Sequence, residues 1–403
     1  MKRLHGVRTT ALVGLVGAAS LSSISSLGLA QPQVEPIVIG ESLTLHSDVL
    51  DEDRTVLVYE PTGYDRSDAS YPVMYLLDGD THFHHTTGIV EFLARNGYIP
   101  QMLVVGLPNT DRTRDLTPPT ATDTAGAFPT AGSADAFLSF IVDELIPYVD
   151  GNYRTAPYRI LVGHSFGGLF AVHTLLARPD VFDAYVAISP TLWWNGGSPI
   201  SRAETFFEEH PDSDPFLFMT MGNEGGRMLS SVREFSAVLE ERAPDSFEWE
   251  FALMDEETHG SIPHRTIYRA MERLYDGWRI PNFAELVERG GLGAVDRHFA
   301  EMSRKYGYEI ETPENLFNQV GYWFLGQGRI DEAIAAFERN VQIYPGSANV
   351  YDSLGDAFDA AGQLERARAS YAKAVELAEA ADHPGLAVYR ANLERIREKI
   401  GSR

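Results

Sequence analysis

Short apolar runs alternate with longer amphipathic stretches from Glu41 to about Trp278. The runs Leu43–Ser47, Arg54–Tyr59, Pro72–Leu77, Met102–Gly106, Arg159–Val162, Ala184–Ile188, Phe216–Met221 and Trp249–Leu253 predict eight strands. The middle runs are almost wholly apolar, as expected when helices cover both faces of a parallel sheet. Between them, apolar positions at helical spacing predict helices over Thr87–Asn96, Ala134–Val149, Gly168–Arg178, Ser201–His210, Gly226–Arg242 and Ile267–Trp278. This alternation predicts a single α/β domain with a mostly parallel eight-stranded sheet.

Beyond Ile280 and Pro281 the strand pattern stops and helical spacing continues to the end. Phe317, Val320, Gly321, Phe324, Gly328, Ala333 and Phe337 recur 34 residues later as Tyr351, Leu354, Gly355, Phe358, Gly362, Ala367 and Tyr371, while Pro345 gives way to Glu379. A 34-residue period with small residues at helix crossings and aromatics between them resembles the tetratricopeptide repeat. It predicts units at 314–347 and 348–381, then a capping helix from Leu386 to Ile400. The segment 282–308 reads as a further, degenerate helical hairpin. Two repeats are few for a free solenoid, so they are expected to stack on the α/β domain or on another copy.

The chain has 403 residues, 44% of them apolar, enough for two domains. Lys2, Arg3 and Arg8 precede an apolar stretch over Ala11–Leu29, and Gly28-Leu29-Ala30 supplies the small residues a signal peptidase reads. This predicts an export signal over 1–30 and a periplasmic or secreted protein. An N-terminal anchor is the competing reading, and the serines and glycines of the stretch make it a poor span. The chain has no cysteine, which removes disulfides, thiolate zinc sites and a thiol nucleophile. The net charge is −24, and loss of the three leader cations leaves −27. Such a surface repels nucleic acid and anionic lipid, so neither is expected as a partner and no membrane insertion is expected after cleavage.

Candidate chemistry centres on Gly163-His164-Ser165-Phe166-Gly167, set between a predicted strand and a predicted helix. A serine on such a turn has its hydroxyl lifted clear of the sheet, and flanking glycines remove side chains that would clash. A serine nucleophile needs a base, an orienting carboxylate and donors for the oxyanion. In this strand order the acid follows the next-to-last strand and the histidine the last. Glu224, after Phe216–Met221, and His259, after Trp249–Leu253, occupy those places. Asp255, Glu256 and Glu257 share a loop with His259 and compete for the acid role, and a dyad without an acid is a third option. The backbone N–H of Phe166 is one expected oxyanion donor, and the turn at Gly79 and Asp80 the other.

Asp78, Asp80, His82, His84 and His85 crowd what reads as one loop, which looks metal-like. No second ligand cluster accompanies it, so no metal is expected and His82 is expected to line the substrate pocket. Trp193 and Trp194 follow the sixth strand at the same edge and are read as a substrate wall, a lid or core. Arg112 and Arg114 follow the fourth strand and either meet an anionic substrate group or pair within their own loop.

Together, Pro72–Gly79 (PVMYLLDG), Gly163–Gly168 (GHSFGG), Phe182–Trp194 (FDAYVAISPTLWW) and Thr258–Pro263 (THGSIP) resemble the esterase family that includes ferric-enterobactin esterases, esterase D and mycolyltransferases. The resemblance covers about 41–280, and the repeat resemblance about 314–400. It implies an α/β-hydrolase fold over 31–280, a hairpin or linker over 281–313, and an all-α tetratricopeptide-like domain over 314–403. It also implies ester hydrolysis without metal or organic cofactor. Ser165 is then the nucleophile and His259 the base, with Glu224 a weaker match because much of the family has Asp there. Siderophore lactones, thioesters, feruloyl esters and short acyl esters all occur as substrates in the family. Two other readings are a non-catalytic scaffold whose helical tail binds a protein partner or self-associates, and an acyltransferase.

Overall fold

The computed structural model describes residues 36–66, 68–120, 124–280 and 282–402. The expected export signal lies outside the described residues. From Ile39 onward the chain forms one unit.

Eight strands form one sheet in the order β1-β2-β4-β3-β5-β6-β7-β8. They are β1 (Glu41–Ser47), β2 (Glu52–Tyr59), β3 (Tyr71–Leu77), β4 (Leu103–Leu107), β5 (Thr155–His164), β6 (Ala184–Ile188), β7 (Phe216–Gly222) and β8 (Trp249–Met254). Strand β2 pairs antiparallel with β1 and β4, and the pairs from β4 through β8 are parallel. Every residue of β3, β4, β6 and β7 is buried, because helices cover both faces. Edge strand β1 alternates between exposed and covered positions.

The helices of this layer are α1 (Gly79–Arg95), α2 (Arg112–Leu116), α3 (Thr124–Ala127), α4 (Ala134–Phe140), α5 (Ile146–Asn152), α6 (Phe166–Ala177), α7 (Ser198–Glu209), α8 (Gly226–Arg242) and α9 (Ile262–Leu274). Helices α2 and α3 were not expected, α9 begins five residues before Ile267, and two further departures have a local cause. Helix α1 begins eight residues before Thr87, because the Thr81 and His82 N–H groups both bond to the carbonyl of Asp78 and start the helix at the strand end. The helix expected over Ala134–Val149 is interrupted by a π-turn at Ile141–Leu145. Pro147 has no N–H to give, so the ladder shifts there and the Ile146 N–H reaches back five residues to Ile141.

The tail contains α10 (Phe283–Tyr306), α11 (Glu314–Gly326), α12 (Ile330–Ile343), α13 (Ala348–Ala360), α14 (Leu364–Ala380) and α15 (Leu386–Gly401). Helix α10 is broken at Gly291, whose φ of 58° and ψ of −156° are not helical. The repeated glycines have a packing cause. A Cβ on Gly321 would sit 2.4 Å from the Phe337 ring, and one on Gly355 would sit 2.6 Å from the Tyr371 ring. Each glycine therefore lets an aromatic of the next helix cross at contact distance.

The tail is joined to the α/β layer by aromatic packing. The Tyr306 ring lies 5.3 Å from that of Tyr158 and 5.0 Å from that of Tyr275, and Trp278 meets Phe299 at 5.9 Å. The Tyr306 hydroxyl donates to the Leu274 carbonyl at 3.0 Å, and the His298 ring reaches the Trp278 carbonyl. One hydrophobic cluster runs without interruption from Met74 and Ile160 in the sheet to Phe337 and Tyr371 in the tail. Tyr158 stands near the start of β5, so this seam is at the rim where the parallel strands begin.

Candidate active site

The opposite rim, where the parallel strands end, collects the candidate side chains. Ser165 follows β5 at φ 60° and ψ −112°, a conformation that costs a non-glycine residue roughly 1–3 kcal/mol. The turn that holds it is tight. A Cβ on Gly163 would lie 2.1 Å from the Gly167 carbonyl oxygen, so only glycine fits. The Ser165 N–H bonds to the Ile188 carbonyl of β6 at 2.9 Å, and the Leu169 N–H bonds to the Ser165 carbonyl, starting α6. The Phe166 N–H thus opens a buried, strongly apolar helix, where the first N–H groups have no partner within the helix.

His259 and Glu224 come together across the ends of β7 and β8. The His259 Nδ1 is 2.7 Å from Glu224 Oε2. The other carboxylate oxygen, Oε1, accepts from the Ser189 hydroxyl at 2.5 Å, and Ser189 itself sits at φ 40° after β6. Glu224 is nearly buried, with its side chain 10% exposed, whereas His259 is 42% exposed. The competing acids are held elsewhere. Glu257 accepts from the Ser261 hydroxyl at 2.6 Å and from Arg265 at 2.9 Å, and these bonds hold its carboxyl below the usual range. Glu256 faces Arg265, and Asp255 is exposed.

Under this rim lies a network anchored on Asp78, a buried residue at φ 54°. Its carboxylate accepts from Arg112 Nε at 2.6 Å and Nη2 at 3.0 Å, and from the Asn109 amide at 2.8 Å. Arg112 also donates to the His164 carbonyl at 3.0 Å. Of the two readings of Arg112, pairing is what the side-chain contacts display: Asp78 and the turn backbone engage Nε and Nη2, and the side chain stays 34% exposed. Arg114 pairs with Glu52 and Asp115, and Arg54 joins Asp115 at 2.7 Å, so the charges of this loop are paired with β2 as well as with each other. Gly79 has its own reason to be glycine, since a Cβ there would meet the Leu107 backbone nitrogen at 2.7 Å. Gly79 and Asp80 form the first turn of α1, with their N–H groups at that helix start.

The histidines read as a metal-like loop stand on α1 instead. His82 is buried, its Nδ1 lies 3.0 Å from His85 Nε2, and its ring edge meets His164 at 5.6 Å. His82 thus backs the rim rather than lining an open pocket. Among the described residues no group of three or more His, Asp or Glu side chains is arranged to hold a metal ion. Burial pushes the His82 imidazole below its ordinary value, and burial beside neighbouring histidines takes His85 down to about 4 and His164 down to about 3. Trp194, for which core was one of the readings, is fully buried and donates from its indole nitrogen to the Pro118 carbonyl at 2.9 Å. It is core. Trp193 does line a cavity of about 750 Å³, together with Phe128, Ile200, Arg227, Ser230 and Glu234. The Arg227 guanidinium lies over the Trp193 ring at 4.6 Å. The Phe128 ring touches Phe166 at 5.3 Å, one residue from Ser165, and Arg227 is three residues from Glu224.

Sequence reading set Ser189, His164 and Asp78 at strand ends but gave them no part in the site. The signals were present: Ser189 closes a buried strand at the same edge, and His164 lies inside the turn motif. What joins them is packing between strands that are distant in sequence.

A model of the family described as Putative esterase matches residues 47–240, and a Tetratricopeptide repeat model matches 313–380. The siderophore triacetylfusarinine C esterase of Aspergillus fumigatus is 34% identical over 170 residues, which are 38% of this chain and 56% of that protein. The chain thus spans little more than half the length of that relative. The ferri-bacillibactin esterase BesA of Bacillus subtilis is 30% identical over 226 residues, 50% of this chain and 78% of that protein. The crystal structure of an IroE-like serine hydrolase from Shewanella oneidensis matches with a TM-score of 0.66 at 27% identity, over 75% of this chain and 99% of that one. With this sheet order, this rim and these relatives, the chain belongs to the Putative esterase family and carries a tetratricopeptide-repeat tail.

Proposed function

We propose that the protein hydrolyses carboxylic esters through an acyl-enzyme formed on Ser165. The observation that carries this reading is the 2.7 Å bond between His259 and Glu224 at the rim where Ser165 is held on its strained turn. His259 accepts the Ser165 proton as the hydroxyl attacks the ester carbonyl, then returns it to the leaving alcohol. Glu224 keeps the imidazole in the tautomer whose Nε2 is free to accept, and stabilises the cation that forms. The N–H of Phe166 and the N–H groups of the Gly79–Asp80 turn are the proposed oxyanion donors, a reading supported by their standing at helix starts where the dipole favours negative charge. Water activated by His259 releases the acid.

The substrate class proposed is a siderophore ester or a smaller ester of similar polarity. Support comes from the siderophore esters for which the two relatives are named and from the cavity beside Phe166, whose aromatic walls and Arg227 suit a flat, polar acyl group. Export follows the pattern of residues 1–30, and such hydrolysis is then expected outside the cytoplasm. The small-molecule ester needs no protein partner, and the tail is read as a place for partner binding or self-association.

The test is Ser165→Ala measured on p-nitrophenyl esters and on an ester panel that includes ferric siderophores. Turnover is expected to fall by roughly 10⁶-fold, leaving only the residual rate that oxyanion donors and binding supply, with the melting temperature retained. Turnover at the parent rate would reject Ser165 as nucleophile.

A further inference from the structure

The hydrogen bond to Glu224 fixes one atom of the His259 ring and leaves the ring free to turn about that contact. A base that turns carries its other nitrogen away from the nucleophile, and small misplacements are costly in such sites. A second constraint is present on the ring face. The His164 ring centroid lies 4.4 Å from that of His259, with the planes 43° apart.

We propose that His164 is a positioning residue for His259, a ring whose face sets the tilt of the base toward Ser165. The inference rests on the Ser165–His259 reading above and adds to it the part that holds the imidazole in place.

His164 is itself held from several sides. It ends β5 in register with Ile188, and its carbonyl accepts from Arg112, which Asp78 grips. Its ring meets the edge of His82 at 5.6 Å, His82 bonds to His85 at 3.0 Å, and His85 meets His264 of α9 at 5.3 Å. Five imidazoles from α1, β5, the β8–α9 loop and α9 thus stand in ring contact, with half-buried His259 at one end and exposed His264 at the other. The His164 Nε2 is buried without a hydrogen-bond partner, so the ring contributes its face rather than a bond.

The charge state fits this use. Burial, then His259 and His82, push His164 down to about 3; Asp78 acts in the opposite direction and Arg112 adds to the downward push. His164 is therefore neutral wherever a histidine base is active. A charged ring there would repel the imidazolium that forms on His259, whereas a neutral aromatic face is compatible with it. Because His164 and Ser165 are consecutive, the nucleophile and the support of its base are fixed by one strand end.

The experiment measures the rate at which a fluorophosphonate labels Ser165, with kcat and KM on p-nitrophenyl acetate, in full-length protein. Wild type, His164→Leu and His164→Phe are compared, each also in the His259→Ala background. His164→Leu is expected to slow labelling and kcat by roughly tenfold with little change in KM. His164→Phe, which keeps a neutral ring, is expected to recover most of the loss. In the His259→Ala background His164→Leu should have no further effect, because the residue acts through the imidazole. Should His164→Leu fail to fold, His164→Gln, polar but without a ring, takes its place. Labelling of the Leu variant at the wild-type rate, or a loss that persists undiminished without His259, overturns the inference. Absence of labelling in wild type brings down the Ser165 reading itself, and is distinguished by that fact.

Discussion

The two rims of the sheet are built from opposite materials. Where the parallel strands end, three non-glycine residues, Asp78, Ser165 and Ser189, sit at positive φ, and carboxylates, imidazoles and a guanidinium meet at hydrogen-bond distance. Where the strands begin, Tyr158, Tyr275, Trp278 and Tyr306 close an apolar seam that runs into the helical tail. Backbone strain is concentrated at one end, and the opposite end supplies cohesion. The difference teaches that the aromatic contacts joining the tail to the sheet lie at the rim opposite the candidate site. The tail reinforces the foundation on which the strained turns rest, and α9 runs from one rim to the other.

This contrast can be broken by substitutions that should act on one rim alone. Glu224→Gln leaves the sheet intact and removes the charge that orients His259; kcat is expected to fall by roughly 10³–10⁴-fold, with thermal melting unchanged, as steady-state kinetics and calorimetry will show. Tyr306→Ala is the complementary change. It should cost about 3–5 kcal/mol of stability, read by urea titration, while kcat at low denaturant stays near the parent value. Coupled loss of activity in that variant would show that the rims communicate. Gly355→Ala pushes a methyl group against the Tyr371 ring and should destabilise the tail by about 1–3 kcal/mol, also without a kinetic effect.

The smallest expected effect is on acid stability. His164 and His85 have folded-state values near 3 and 4, below the ordinary 6.5, so the unfolded chain takes up protons that the folded chain refuses. Their contribution is complete above pH 6.5 and is lost as the pH falls through that window toward the folded values. His164→Phe removes one of these groups, and the slope of stability against pH between about 4 and 6 should become shallower.

Much of this was legible in the chain. The apolar runs located all eight strands, with ends displaced by a few residues, because burial on both faces leaves an unmistakable pattern. The Gly321/Phe337 and Gly355/Tyr371 pairs were visible as a period because each repeat solves the same crossing problem. Ser165, Glu224 and His259 were read from their places after strands, which needs only strand order. The start of α1 was not legible: it depends on Asp78 adopting φ 54° under the grip of Arg112, which lies 34 residues further on. The burial of Trp194 and the line of imidazoles likewise come from contacts between distant segments. Local pattern gives no sign of which of twelve histidines will share a neighbour.

The aromatic seam also bears on portability. Shortening the chain to its first 280 residues, as one would to obtain a smaller catalyst, would turn the Tyr158–Tyr275–Trp278 face outward to water. Such a fragment would be prone to aggregation even with every residue of the polar rim intact. In this chain the helix that leads into the repeats is a wall of the building rather than an annex.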